Sequence, residues 1–216
     1  MREVNLLGRY PRTTRDIDAR AAAVPSQREI AKKFGREYFD GDRGQGYGGY
    51  RYDGRWVKVG ERMQEFYGLR AGQRVLDVGC AKGFLLHDLA TVVPGLEVRG
   101  VDVSEYAIQN AMEDVKPHLV CASADALPFP DDSFDLVIAI NVVHNLELPR
   151  CIQALREIER VGKRAYVQVD SWLDEEQKAK FLRWQLTALT YFEPVGWREV
   201  FAQAGYTGEY HWTLTE

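Results

Sequence analysis

Cysteine is scarce in this sequence: Cys80, Cys121 and Cys151 are its three cysteines, odd in number and without a C-x-x-C pair. Neither a disulfide framework nor a zinc knuckle is indicated, and a reducing compartment fits. Long apolar runs are missing as well. No stretch approaches the ~18 to 20 apolar residues needed to span a bilayer, so no membrane association is expected. The first residues, with Arg2, Glu3, Arg9 and Arg12, lack the apolar stretch of a signal peptide, which makes the cytoplasm the expected location. Positive charge is not in excess either, because 28 Lys and Arg stand against 32 Asp and Glu, a net charge of −4. A binder that relies on the phosphate backbone needs a basic balance, so nucleic acid is not an expected partner. The four histidines, His87, His118, His144 and His211, show no ligand spacing with a carboxylate, and no metal is expected.

What is present is a soluble globular composition of 216 residues, 45% hydrophobic and 28% charged, a length that suits one domain. Its aromatic residues are unevenly placed. Six lie between Val57 and Ala165, whereas seven lie between Phe34 and Trp56 and eleven between Tyr166 and Trp212. Residues 1–36 carry nine Lys or Arg against four acids, which reads as a solvated arm or a docking arm. The segment Gly41 to Gly54 holds six glycines interleaved with Tyr47, Tyr50 and Tyr52. So many glycines exclude a regular helix, and the tyrosines fit a shaped binding loop better than a plain linker.

Regular alternation follows. Trp56, Val59, Met63, Phe66 and Tyr67 recur at helical spacing up to Gly68, and strands are predicted at Arg74 to Val78, Leu96 to Val103, His118 to Ala122, Phe134 to Ile140 and Arg164 to Val169. Helices are predicted between them over Phe84 to Val93, Glu105 to about Val115 with Ser104 as its cap, and Pro149 to Val161. Two further helical stretches and a strand over Tyr206 to Leu214 close the chain. Strands alternating with helices predict an α/β fold, a doubly wound and mostly parallel sheet with helices on both faces, here with an N-terminal cap. Residues 1–56 would form the arm and lid, and 57–216 the α/β domain. Ligands of such sheets bind beyond the carboxyl ends of the strands.

The first strand ends in VLDVGCAKG, where Asp77 precedes Gly79, Ala81 and Gly83 at a tight turn into a helix. The dinucleotide fingerprint would need glycine at 81 and 84, which are Ala81 and Phe84, so a nicotinamide enzyme fits poorly. The second strand ends at Asp102, placed to accept hydrogen bonds from ribose hydroxyls. The third is followed by Ala124, Asp125 and Ala126 and the turn LPFPDDSFD.

VLDVGCAKG, GVDVS, SADALPFPDDSFDLV and the HN pair after the fourth strand, taken in that order, resemble the S-adenosylmethionine-dependent class I methyltransferases over about Gln73 to Asp170. The resemblance implies that S-adenosylmethionine is the cofactor. It implies that Asp77, Gly79, Ala81 and Gly83 line its methionine and adenosine moieties, that Asp102 with Val103 holds the ribose side, that Asp125 with Ala126 meets the adenine amine, and that Asn141 closes the site. Tyr50 and Arg51 would bind the methionine carboxylate. Two departures stand out. Ala81 occupies the place of the middle glycine and should need a negative φ, and the tail after Gly205 is long enough for only one good strand or a very short pair.

A sulfonium methyl is a strong electrophile, so positioning dominates and acid-base help matters only when the acceptor must lose a proton. His144, four residues past the fourth strand, is the first candidate base and Asp170 the second. The fourth motif lacks the features of amino-directed DNA and arginine methyltransferases. The expected function is methyl transfer to an oxygen or nitrogen of a small-molecule acceptor. A protein methyltransferase guided by the basic arm and a non-catalytic cofactor-binding module are the alternatives. The aromatic flanks, residues 34–56 and 172–197, would line the acceptor pocket. Phe181 and Trp184, three apart on a predicted helix, also suit ordinary packing. The oligomeric state is not legible.

Overall fold

The computed structural model describes residues 1–11, 16–21 and 25–215. In chain order the elements are β1 (Arg2–Glu3), α1 (Ile17–Ala21), α2 (Pro25–Ala31), α3 (Arg36–Asp40), α4 (Val57–Tyr67), β2 (Arg74–Val78), α5 (Phe84–Val92), β3 (Glu97–Asp102), α6 (Glu105–Gln109), β4 (Leu119–Cys121), β5 (Leu136–Ile140), α7 (Leu148–Val161), β6 (Ala165–Ser171), α8 (Glu175–Trp184), α9 (Pro194–Ala204) and β7 (Glu209–Leu214).

The seven strands form one sheet in the order β1-β7-β6-β5-β2-β3-β4, and every pairing is parallel. The order reverses at β2 and β5, so the crevice between their carboxyl ends is the topological switch point where α/β sheets bind ligands. The central strands β2, β5 and β6 are largely apolar on both faces because both faces are covered. Leu76, Val78, Val137, Ala139 and Val167 pack against Leu155 and Ile158 of α7 and Trp197 and Phe201 of α9. Their alternating neighbours Val75, Val98, Leu136 and Ile138 pack against Val59 and Met63 of α4 and Leu85 and Leu89 of α5. Truncating a fully buried leucine such as Leu155 to alanine costs about 2–5 kcal/mol at this kind of site.

Two sequence expectations are corrected and a third is narrowed. Of the two tails expected, the single strand is present: β7 lies parallel to β6, and the sheet's outer edge is completed by the N-terminal Arg2–Glu3. The helix after Ser104 ends at Gln109 rather than near Val115, because the N–H of Met112 turns back to donate to the carbonyl of Lys82 at 3.0 Å. Finally, Ala81 has φ +50, not a negative value, which places an L-residue in the left-handed region.

Candidate active site

The turn after β2 is built from residues that tolerate a left-handed backbone. Gly79 has φ +76, and a Cβ there would lie 2.2 Å from Cγ2 of Val142. Gly83 has φ +74, and its Cβ would meet Val115 at 2.6 Å. Glycine is therefore required twice, by backbone and by space. Ala81 carries its strain between them, and its methyl is buried with Phe39 and Ala107 under Phe34, Tyr38, Tyr50 and Tyr106. The turn and the aromatic segment thus share one cluster.

That segment is fastened to the sheet half by charged groups. Lys82 Nζ lies 2.6 Å from Oδ2 of Asp40 and donates to the carbonyl of Tyr50 at 3.0 Å. Asp40 also accepts from the hydroxyl of Tyr106 at 2.7 Å and from the N–H of Tyr50 at 3.1 Å. Burial works to raise the Asp40 carboxyl, but the donors Lys82, Tyr106 and Tyr50 outweigh it and hold it below its ordinary range. Further along, buried Asp88 accepts from the hydroxyl of Tyr52 at 2.7 Å and the N–H of Trp56 at 3.1 Å. Asp88 raises the Tyr52 hydroxyl to about 12. The rings of residues 34–56 stack on one another and on Phe84, Tyr50 lying 4.7 Å from it.

Beneath this segment is a cavity of about 650 Å3 at the carboxyl ends of β2, β5, β6 and β7. Tyr50, Arg51, Asp77, Gly79, Ala81, Asn141, His144 and Asp170 all line it. Gly83, Asp102, Val103, Asp125 and Ala126 do not. Asp102 is tied to main chain, its carboxylate accepting from the N–H groups of Ala81 and Ser104, both at 2.8 Å. Burial raises its pKa against those donors. Val103 is exposed, and Asp125 is held by Arg150 in a two-pronged ion pair at 2.6 and 3.0 Å that lowers its pKa.

Asp77 is buried and, among the described residues, accepts no hydrogen bond, so burial together with the nearby Asp102 charge pushes its carboxyl well above the ordinary range. Arg51 makes no ion pair or hydrogen bond among the described residues, although it lines the same cavity.

On the opposite wall, His144 is buried and its Nδ1 accepts from the N–H of Asp170 at 3.1 Å. That acceptance leaves the proton of the neutral ring on Nε2, which lies 3.4 Å from Oδ2 of Asp170. Burial depresses the His144 pKa below its ordinary value despite the attraction of Asp170. The Asp170 carbonyl accepts from Nε1 of Trp197 at 2.9 Å, so its main chain is pinned on both sides. Asn141, with φ +57, donates its N–H to Gln168 and accepts from the hydroxyl of Thr213 at 2.8 Å. Of the predicted aromatic pair, Phe181 is core, stacked on Trp172, whereas Trp184 lines the cavity with Arg20 over its ring.

Residues 76–165 match the family described as a methyltransferase domain. That segment is a class I methyltransferase domain. The 27-O-demethylrifamycin SV methyltransferase of Amycolatopsis mediterranei is 34% identical over 112 residues, 49% of this chain and 40% of that protein. The malonyl-[acyl-carrier protein] O-methyltransferase of Halorhodospira halophila is 37% identical over 94 residues, 41% of this chain and 31% of that one. The chain thus spans less than half the length of these curated relatives. Among solved structures, a Haloferax volcanii methyltransferase in complex with the Trm112 methyltransferase activator has the same fold, with a TM-score of 0.57 at 20% identity over 90% of this chain and 77% of that one. Methyltransferases of this class take the methyl group from S-adenosylmethionine.

The residues around the cavity fit that donor. Its amino-acid end carries an ammonium and a carboxylate, and the cavity offers a carboxyl, Asp77, and a guanidinium, Arg51, that have no partner among the described residues. Lys82, Asp40, Asp88 and Trp56 were not legible as site residues, since each acts through a partner 32 to 42 positions away. No helix of the described residues is long and apolar enough to cross a membrane.

Proposed function

We propose that this chain transfers the methyl group of S-adenosylmethionine to an oxygen or nitrogen of a small molecule held beneath the lid of residues 34–56. The observation that carries this reading is the single cavity that joins the donor turn, with Asp77 and Gly79, to the paired His144 and Asp170. The donor, when bound, supplies an electrophilic methyl group on a sulfonium. The protein's task is then to hold the acceptor atom in line, an effect worth up to about 7–11 kcal/mol.

Arg51 would take the donor's carboxylate and Asp77 its ammonium, with Tyr50 closing over them. Asp102 and Val103 would lie at the ribose, Asp125 and Ala126 at the adenine, and Gly83 at the start of the helix that follows the donor turn. On this reading the order of the two candidate bases is reversed. The Nδ1 lone pair of His144 is occupied by the Asp170 N–H, so the carboxylate of Asp170 is the group available to take a proton, and His144 positions it.

The small-molecule reading is further supported by the N-terminal arm, whose Asn5, Leu7, Tyr10 and Arg20 line the cavity wall instead of standing free of it. A polypeptide acceptor would need an open groove. The test is incubation with a metabolite extract freed of protein: release of S-adenosylhomocysteine is expected, and release only from the protein fraction overturns the small-molecule acceptor.

A further inference from the structure

The charge of the cavity is at odds with that of the chain. In a protein of net charge −4, four guanidiniums (Arg20, Arg43, Arg51 and Arg55) line the cavity against two carboxyls, Asp77 and Asp170. Two of the four are accounted for within the protein. Arg55 is held by both oxygens of Asp53, at 2.5 to 2.9 Å, and Arg20 donates to the carbonyl of Gly46 at 2.7 Å with its guanidinium 4.1 Å from the Trp184 ring. Arg51 is assigned above to the donor. That leaves Arg43, whose Nη1 donates to the carbonyls of Gly46 and Tyr47, both at 3.0 Å, and whose guanidinium lies 5.3 Å from the Trp184 ring.

Among the described residues Arg43 meets no carboxylate. Carbonyls and a ring face orient a guanidinium without neutralising it, and one fork of its donors stays unused. Arg43 is exposed at the cavity's edge, so its free donors are within reach of a ligand entering from solvent. The donor itself adds a sulfonium charge to the same cavity. A cavity this positive favours an anion, and a planar fork favours an oxyanion.

We propose that the methyl acceptor is a small organic oxyanion, a carboxylate or phosphate ester, anchored by Arg43 through the anionic group while a different oxygen or nitrogen receives the methyl. This rests on the methyltransferase reading above. The methyl passes from sulfur to the acceptor atom, whose proton leaves to Asp170, and the anchoring oxyanion is unchanged.

Inorganic phosphate is the probe, titrated at constant ionic strength into protein saturated with S-adenosylhomocysteine and followed by melting temperature, with benzoate in a parallel arm to separate phosphate from carboxylate preference. Saturable stabilisation by either anion is expected. It should fall at least tenfold in affinity in Arg43→Gln, which keeps an N–H donor for the Gly46 carbonyl but loses the charge, and be restored in part by Arg43→Lys. S-adenosylhomocysteine affinity should be the same in all three proteins. Homocysteine-nucleoside binding without any anion effect, or an anion effect that Arg43→Gln leaves intact, overturns the anchor and spares the methyltransferase reading. Anion binding that depends on Arg43 in a protein that takes no S-adenosylhomocysteine supports the anchor and overturns that reading.

Discussion

The N–H of Asp170 donates to Nδ1 of His144 across 3.1 Å, joining the end of β6 to the turn that follows β5. This bond fixes which nitrogen of His144 carries the proton and aims Asp170 at the cavity. Under the proposed function it makes Asp170 the base and His144 the residue that positions it.

Asp170→Asn is therefore expected to lower kcat by about 10²–10⁴ when the acceptor must lose a proton, with little change in donor affinity. His144→Gln, whose amide oxygen can still accept from the Asp170 N–H, should keep most of the activity and the wild-type shape of the pH profile. His144→Ala leaves that N–H without an acceptor in a buried place, at about 1–3 kcal/mol. A pH profile abolished in His144→Gln and retained in Asp170→Asn would restore His144 as the base.

The same burial makes a prediction about stability and pH. The folded state keeps His144 neutral below its ordinary 6.5, whereas the unfolded chain takes up the proton as the pH falls through 6.5. The unfolded state then binds more protons, so stability is fully present above 6.5 and declines below it. Melting temperatures from pH 8 to pH 5 should fall below 6.5, and less steeply in His144→Gln. A parallel fall in the two proteins would assign the loss to other groups.

Asp77 has the opposite sign. Its raised pKa in the folded state means that the unfolded chain releases the proton first as the pH rises above 3.8, which weakens folding at neutral pH. Asp77→Asn should raise the melting temperature at pH 7, with the gain vanishing below pH 4, and should weaken donor binding at the same time. A stability optimum traded for a ligand is common at sites of this kind. Lower stability at pH 7 in Asp77→Asn would mean that the carboxylate has a partner in the folded state.

Lys82 ties the proposed lid to the turn after β2 through Asp40 and the carbonyl of Tyr50. Hydrogen bonds to charged groups contribute about 1.5–3 kcal/mol, so Lys82→Met should loosen residues 38–52 without touching the sheet. Amide exchange is the readout: faster exchange in the lid with unchanged protection in β2, β5 and β6 is expected, and unchanged lid protection would show that the aromatic stacking alone holds it.

The sheet was legible because a parallel strand buried on both faces leaves a short apolar run, as in Leu136 to Ile140, and most of these runs are followed by a helical period. The edge was not, since Arg2–Glu3 is too short for any periodicity and is a strand only because β7 offers it hydrogen bonds. Helix α6 was read too long for a related reason, the return of Met112 to Lys82 being a tertiary contact that local propensity does not contain. In the candidate site, His144 and Asp170 were singled out by their places after and at strand ends and Asp77 and Asn141 through the family resemblance, and all four line one cavity. The sequence could suggest His144 as a base but not that its lone pair is spent on Asp170. Nor could it reveal that Ala81 adopts φ +50 while its methyl packs beneath the lid. The aromatic bias marked two stretches that contribute rings to the cavity wall, yet it could not separate Trp184, which lines the cavity, from Phe181, which is core.

The most direct test of the whole account is calorimetric titration of S-adenosylhomocysteine into the wild-type protein and Asp102→Ala. One-to-one binding is expected, weakened on the order of ten- to a hundredfold in the variant, as the loss of a charged acceptor worth about 1.5–3 kcal/mol requires. Absence of heat at high micromolar concentration, or equal binding by the two proteins, would contradict it.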